Sequence, residues 1–373
     1  MKRRHLLVST AALPWLGLPT APTWAQTAPA TAFDAALANT NPAQAAQAWL
    51  NTEQVDGLRE LRQVGIAQFR VMFATQGVGS ASASGGIGSG SGSASMHGRY
   101  VLAGVDEALM QSITDSAYER FGQSLQARGL TVVPFEGLPA AARERMAGVA
   151  VPAPAELKRG QGRGQSKEYK LFSAKGLPLY FGVSDPLRQH MGFGVSLSGI
   201  GWDSVEYAEA GVAGPEQVGL LKVTLVMDFV QMETSGGFFS STASVGAEPG
   251  IRLTEESSLR AMVPKGLEEK PKPGGGTVWT TPTFSFDKMP VMTLKHTLQP
   301  ANSGLIGVTD TTHTGVAAFQ TAMQVVGLLG GLGGGRKDKR YEVAVDPVQY
   351  QAAASSTMGA VLDTWAAQIG AAR

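Results

Sequence analysis

Residues 77–98 read GVGSASASGGIGSGSGSASMHG, and this stretch limits what the chain can fold into more than any other. Side chains this small cannot build a core. The stretch is therefore either a tether or backbone-paired structure lying close to something else. Ser/Gly runs are typical of flexible linkers, and a tether needs no order in its residues. Here the serines alternate: Ser80, Ser82 and Ser84 precede Gly85-Gly86-Ile87-Gly88, and Ser89, Ser91, Ser93 and Ser95 follow it. Folding the chain at those glycines sets Ser84 opposite Ser89, Ser82 opposite Ser91 and Ser80 opposite Ser93. The same register carries Phe73 to Tyr100 and Val71 to Leu102. One antiparallel hairpin then shows serine on one face and alanine or glycine on the other. Both readings stay open: a loop at the tip, with paired strands extending some way into it. An ordered Gly/Ala face is flat enough to pack on another backbone or on a second subunit. Ser80, Ser82, Ser84, Ser89, Ser91 and Ser93 are therefore candidate partner-binding residues.

The flanking sequence supplies regular elements. Asn41-Pro42 opens a helical pattern as N-cap and first helical residue. Phe69, Val71 and Phe73 alternate with Arg70 and Met72 as in a strand, and RYVLAGV is a second strand. A helix follows between the cap Asp106 and the stop Gly129, and LTVVPF is a third strand. Residues 42–152 thus form an α-β-β-α-β unit around the loop at 77–98. Residues 153–170 are expected as a basic linker or loop, and 171–373 as a β-rich region. The region ends in a strand at 340–346 and a helix at 347–370 capped by Asp346-Pro347. The fold class is α+β or mixed α/β, with helices packed on a mixed or antiparallel sheet.

The N-terminus points to a compartment. Lys2, Arg3 and Arg4 precede the apolar run LLVSTAALPWLGL, and Thr23-Trp24-Ala25 offers small residues for cleavage. Residues 1–25 read as a secretory signal peptide and 26–41 as a flexible leader, placing the chain in the periplasm or outside the cell. The route is Sec or, from Arg3-Arg4, twin-arginine export. Cleavage after Ala25 leaves 28 basic against 30 acidic residues. No global field then draws the chain to nucleic acid or anionic lipid. Cysteine is absent, so disulfides, thiol nucleophiles and thiolate ligands are all excluded. Hydrophobic residues make up 43% of the chain, enough for a substantial core without such staples. After the leader, no apolar run of the length a transmembrane helix requires occurs.

Motifs for chemistry are sparse. The sequence lacks G-x-S-x-G, H-E-x-x-H and G-x-G-x-x-G. His97, His190, His296 and His313 lie far apart, without ligand spacing, so neither a metal nor a cofactor is expected. KRGQGRGQSK gathers Lys158, Arg159, Arg163 and Lys167, a candidate anion-binding group or else a solvated loop. Further on, Val316, Phe319, Met323, Val326, Leu329 and Leu332 form an apolar stripe on an expected helix over 316–332. At about 25 Å that helix falls short of a hydrocarbon core of about 30 Å, so it is read as core or partner-facing. Phe319, Met323, Val326 and Leu329 join the candidate partner-binding residues.

Two functions follow as expectations. The first is an exported, non-enzymatic binding or envelope-assembly protein, with a protein partner or a second copy of the chain in the envelope. The second is an exported hydrolase of envelope glycan whose carboxylates converge only in the fold.

Overall fold

The computed structural model describes residues 33–84, 93–162, 164–190, 204–236, 243–280, 289–312, 319–321 and 335–373. The residues read as a signal peptide and cleavage site lie outside this range, as do Ser89, Ser91, Arg163, Met323, Val326 and Leu329.

The chain is α+β, with helices packed against a large mixed sheet. A single turn of helix at Leu37–Thr40, within the stretch expected as a flexible leader, precedes α1 (Pro42–Trp49), which is capped by the Asn41 side chain accepting from Gln44 N at 3.2 Å. Two long strands, β1 (Gln63–Ala83) and β5 (Val218–Ser235), run in parallel from Gln63 opposite Val218 to Phe73 opposite Met227. Between them come β2 (Ala94–Ala103), α2 (Glu107–Ala127), the hairpin β3 (Ala155–Gly162) and β4 (Gln165–Ser173), and α3 (Val205–Glu216). After β5 follow β6 (Ser244–Leu253), β7 (Ser258–Met262), β8 (Leu305–Asp310), β9 (Phe319–Thr321), β10 (Gly335–Val345) and α4 (Pro347–Ala371). Among the described residues no helix is long and apolar enough to cross a membrane.

Strand alternation sorts the β1 side chains between two cores. Phe69, Val71 and Phe73 face the helical layer, where they join Phe121 of α2 and Trp365 of α4. The ring centroids of Phe69 and Phe121 lie 6.4 Å apart. Met72 and Ala74 point the other way, into a second core with Tyr169, Phe229 and Met232. Arg70 shares that second face.

Past Phe73 the sheet divides. From Gln76 onward β1 takes β2 as its antiparallel neighbour, while β5 continues beside β6. The two hairpins face each other, and this explains the small residues. A Cβ on Gly79 would come within 2.6 Å of Val245 Cγ1, and one on Gly77 within 3.0 Å of Val230 and Met232. Ala83, Ala94 and Ala243 fill the same gap nearer the tips. The Gly/Ala face therefore packs on another hairpin of the same chain, and the hydroxyls of Ser82, Ser84 and Ser93 turn outward, exposed.

Register is where sequence and structure part. Ser80 stands opposite His97 and Ser82 opposite Ser95, four residues further along than the serine pairing predicts. Phe73 meets Lys170 of β4 and Val71 meets Phe172, and neither reaches β2. Small identical residues cannot fix a register by size, so the facing layer fixes it instead.

Two further expectations are corrected. Residues 153–170 are no linker: they supply β3 and most of β4, turned at Gly162 and Gly164, whose φ values of 76° and 75° suit glycine. Leu157 and Tyr169 are the inward residues that earn this hairpin its place, and charged side chains suit the outer edge of the sheet. Residues 319–321, expected within a helix, form strand β9 against Gly307–Thr309. The open edge of β8 offers a ladder of hydrogen-bonding partners, and that tertiary pairing overrides the helical spacing.

Candidate functional site

Three neighbouring strands repeat one short pattern: Gln68-Phe69-Arg70 on β1, Lys222-Val223-Thr224 on β5 and Ser258-Leu259-Arg260 on β7. The middle residues enter the helix-side core, so the flanking polar residues share the opposite face. The register aligns them in two rungs. Gln68, Lys222 and Arg260 make one, and Arg70, Thr224 and Ser258 the other. Above these rungs lies a cleft of about 210 Å³. Its walls come from the loop Ser184–Leu187, from Arg159 of β3 and from Glu256, which precedes β7.

Charge dominates the cleft. Arg70 is 3% exposed and grips Asp185 through both carboxylate oxygens, at 2.9 and 2.7 Å. Its Nε donates to Thr224 Oγ1 at 2.9 Å, and the Phe181 ring lies 5.0 Å from the guanidinium. Burial pushes the Asp185 carboxyl up, but the Arg70 guanidinium and the Leu187 amide outweigh it and hold the carboxyl below its usual range. Asp185 therefore stays ionised.

Behind the cleft, Lys222 Nζ donates to Glu209 Oε2 at 2.8 Å and the Tyr180 hydroxyl to Glu209 Oε1 at 2.7 Å. Burial raises the Glu209 carboxyl despite Lys222, and it raises the Tyr180 phenol well above its ordinary value. Glu206, one helical turn earlier on α3, accepts from Ser184 N at 2.9 Å and leaves its other oxygen buried without a partner.

Arg159 pairs with Glu256 at 2.5 Å across the cleft mouth. Arg260 differs from the other cations. It donates Nη1 to the backbone carbonyl of Ser184 at 3.4 Å, and among the described residues it has no carboxylate partner. Among the described residues no group of three or more His, Asp or Glu is placed to hold a metal ion.

Of the cations singled out in the sequence, Arg159 lines the cleft. Lys158, itself exposed, points to the opposite face of β3, where it pairs with the half-buried Glu168 at 3.2 Å. Lys167 is buried against Asp228. The described members thus do not form one cationic patch. Ser80 donates its hydroxyl to the Gly164 carbonyl at 2.9 Å and, with Ser82, borders an open trough at the hairpin tips. Arg70, Asp185, Lys222, Glu256 and Arg260 were not legible as a site. The signal was the threefold polar–apolar–polar pattern, which has no meaning until the strands are paired.

No family model matches the chain, and no curated protein or solved structure matches it.

Proposed function

We propose that the protein is an exported, non-enzymatic binding protein of the cell envelope, periplasmic or secreted, with the cleft on β1, β5 and β7 as its ligand site. One observation carries this reading: both carboxylates lining the cleft are held by guanidinium groups, Asp185 by Arg70 and Glu256 by Arg159. Acid/base cleavage of a glycan needs one carboxyl that can be protonated and another free to act as base or nucleophile. Asp185, kept ionised with both oxygens engaged, is built for position rather than proton transfer. The basic n-region, apolar run and small residues before Gln26 support export. A protein partner or a second copy of the chain would meet the outward row of Ser80, Ser82 and Ser84, because Val245 and Met232 already cover the Gly/Ala face.

The test is native recovery from an osmotic-shock fraction, followed by denaturation and mass spectrometry of released small molecules. A chemically intact small molecule is expected from the wild type and should be missing from Arg260→Gln. Cleavage of purified cell-wall glycan, lost in Glu256→Gln, would replace this reading with the hydrolase.

A further inference from the structure

We propose that the cleft holds the carboxylate of a small organic acid, bound by the Arg260 guanidinium with Arg159 and the Ser258 hydroxyl beside it. The inference rests on the ligand-binding reading above and names the chemistry of the ligand.

The charge pattern comes first. Arg70, Lys222 and Arg159 each have a carboxylate, from Asp185, Glu209 and Glu256 respectively. Arg260 alone among the cleft cations has none among the described residues. Its Nε is buried without an acceptor, so the Ser184 carbonyl does not satisfy the group. Among the described residues the Nη2 atoms of Arg260 and Arg159 make no hydrogen bond, and neither counts as a fully buried unpartnered atom, so both can be reached by a ligand.

The register adds a second observation. Lys222 and Arg260 stand directly opposite each other on antiparallel strands. Like charges in that position are destabilising unless something negative lies between or behind them. Glu209 answers Lys222 from behind, whereas no carboxylate among the described residues pairs with Arg260, Glu206 being engaged on the Ser184 amide. An anion in the cleft would.

The size of the missing charge selects the anion. One uncompensated guanidinium calls for about one negative charge. A carboxylate supplies that, whereas a phosphate monoester brings about −1.5 to −2 at neutral pH. The surplus would fall beside Asp185 and Glu256, which line the same cleft. The planar guanidinium fork also matches a carboxylate in a bidentate pair. Pro186, Leu187 and Val226 offer apolar wall for a short carbon skeleton. The volume of about 210 Å³ lies below the range of roughly 300–1,000 Å³ usual for drug-sized ligands, so the acid is small.

The test is ligand-observed NMR on the full mature chain with acetate, lactate, succinate and benzoate. Their carboxamides and the methyl and phenyl phosphonates serve as matched controls. Binding of at least one acid is expected, with its amide weaker by about tenfold or more, the factor a hydrogen bond to a charged group carries. Arg260→Gln should lose that binding by a similar factor, and Arg260→Lys, which keeps the charge without the fork, should fall between. Circular dichroism establishes that both variants are folded. Preference for phosphonate, equal binding of acid and amide, or an acid bound unchanged by Arg260→Gln overturns the carboxylate assignment. If no acid binds while the native protein still carries a small molecule lost in Arg260→Gln, the carboxylate class falls and the binding reading stands. If neither is seen, both fall.

Discussion

Arg70 and Asp185, 115 residues apart in sequence, meet through both carboxylate oxygens where the wall loop joins the floor of the cleft. Asp185→Ala would leave a guanidinium that is 3% exposed without its counter-ion. Breaking such a pair from one side costs about 3–5 kcal/mol. A loss of that size is expected in urea unfolding, with Arg70→Met/Asp185→Leu recovering a large part of it. A loss under 1 kcal/mol would mean that water reaches Arg70.

The same pair sets an acid response. The folded Asp185 carboxyl lies below its ordinary value, so its contribution is present above the unfolded pKa of about 4 and disappears as pH falls through the folded one. Glu209 acts in the opposite sense. Its folded value is raised, so its contribution is present at low pH and is lost as pH rises through the folded value. Asp185→Asn should therefore lose less stability than the wild type between pH 5 and pH 3. Urea midpoints across that interval decide the matter, and parallel curves would contradict it.

Gly79 sets the spacing of the two facing hairpins. Gly79→Ala would drive a Cβ to 2.6 Å from Val245 Cγ1 and should cost about 1–3 kcal/mol, as overpacking does. Val245→Ala placed in the same chain should relieve part of that cost, a coupling that a double-mutant cycle measures. Ser82→Ala, on the exposed outer face, should stay within about 0.5 kcal/mol. Additive effects of Gly79→Ala and Val245→Ala would separate the two layers.

Ala83 pairs with Ala94, so Ser84 and Ser93 come next in register. Replacing residues 85–92 by Asn-Gly joins them through a two-residue hairpin turn. Cooperative thermal unfolding is expected, within about 1 kcal/mol of the wild type by loop-closure entropy. Removing residues 79–95 should behave differently, because it takes away the Ala83–Ala94 pair and the contact of Gly79 with Val245. Equal stability of both deletions in calorimetry would show that the small-residue ladder contributes nothing.

The α+β class was legible because helix starts are written locally. Asn41, Asp106 and Asp346 each read as an N-cap, and each side chain accepts from the amide three residues on. The alternation of Phe69, Val71 and Phe73 likewise announced a strand. The hairpin register was not legible, since Ser and Gly offer no size difference and the residues that fix it, Val245 and Met232, lie far along the chain. The cleft was hidden for a related reason. Gln68-Phe69-Arg70 looks like any amphipathic strand, and only parallel pairing of β1 with β5 sets Arg70 beside Thr224. Arg159 was singled out for its charge, but the neighbours that give it meaning, Glu256 and Arg260, come a hundred residues later.

Strand β2 has β10 as its parallel neighbour, with Tyr100 in register with Tyr341 and the two rings stacked at 5.1 Å. More than half the chain separates those residues. The small-residue hairpin at the centre of the sheet therefore has one neighbour close by in sequence and another that lies more than two hundred residues further along the chain. Pairings of such long sequence separation must close large loops before they gain anything, which makes them slow to form. Folding of this sheet cannot proceed piecewise from the first residues to the last. Until residues 335–345 pair with it, one edge of β2 stays open, and an unpaired strand edge is the kind of surface that invites association with other chains.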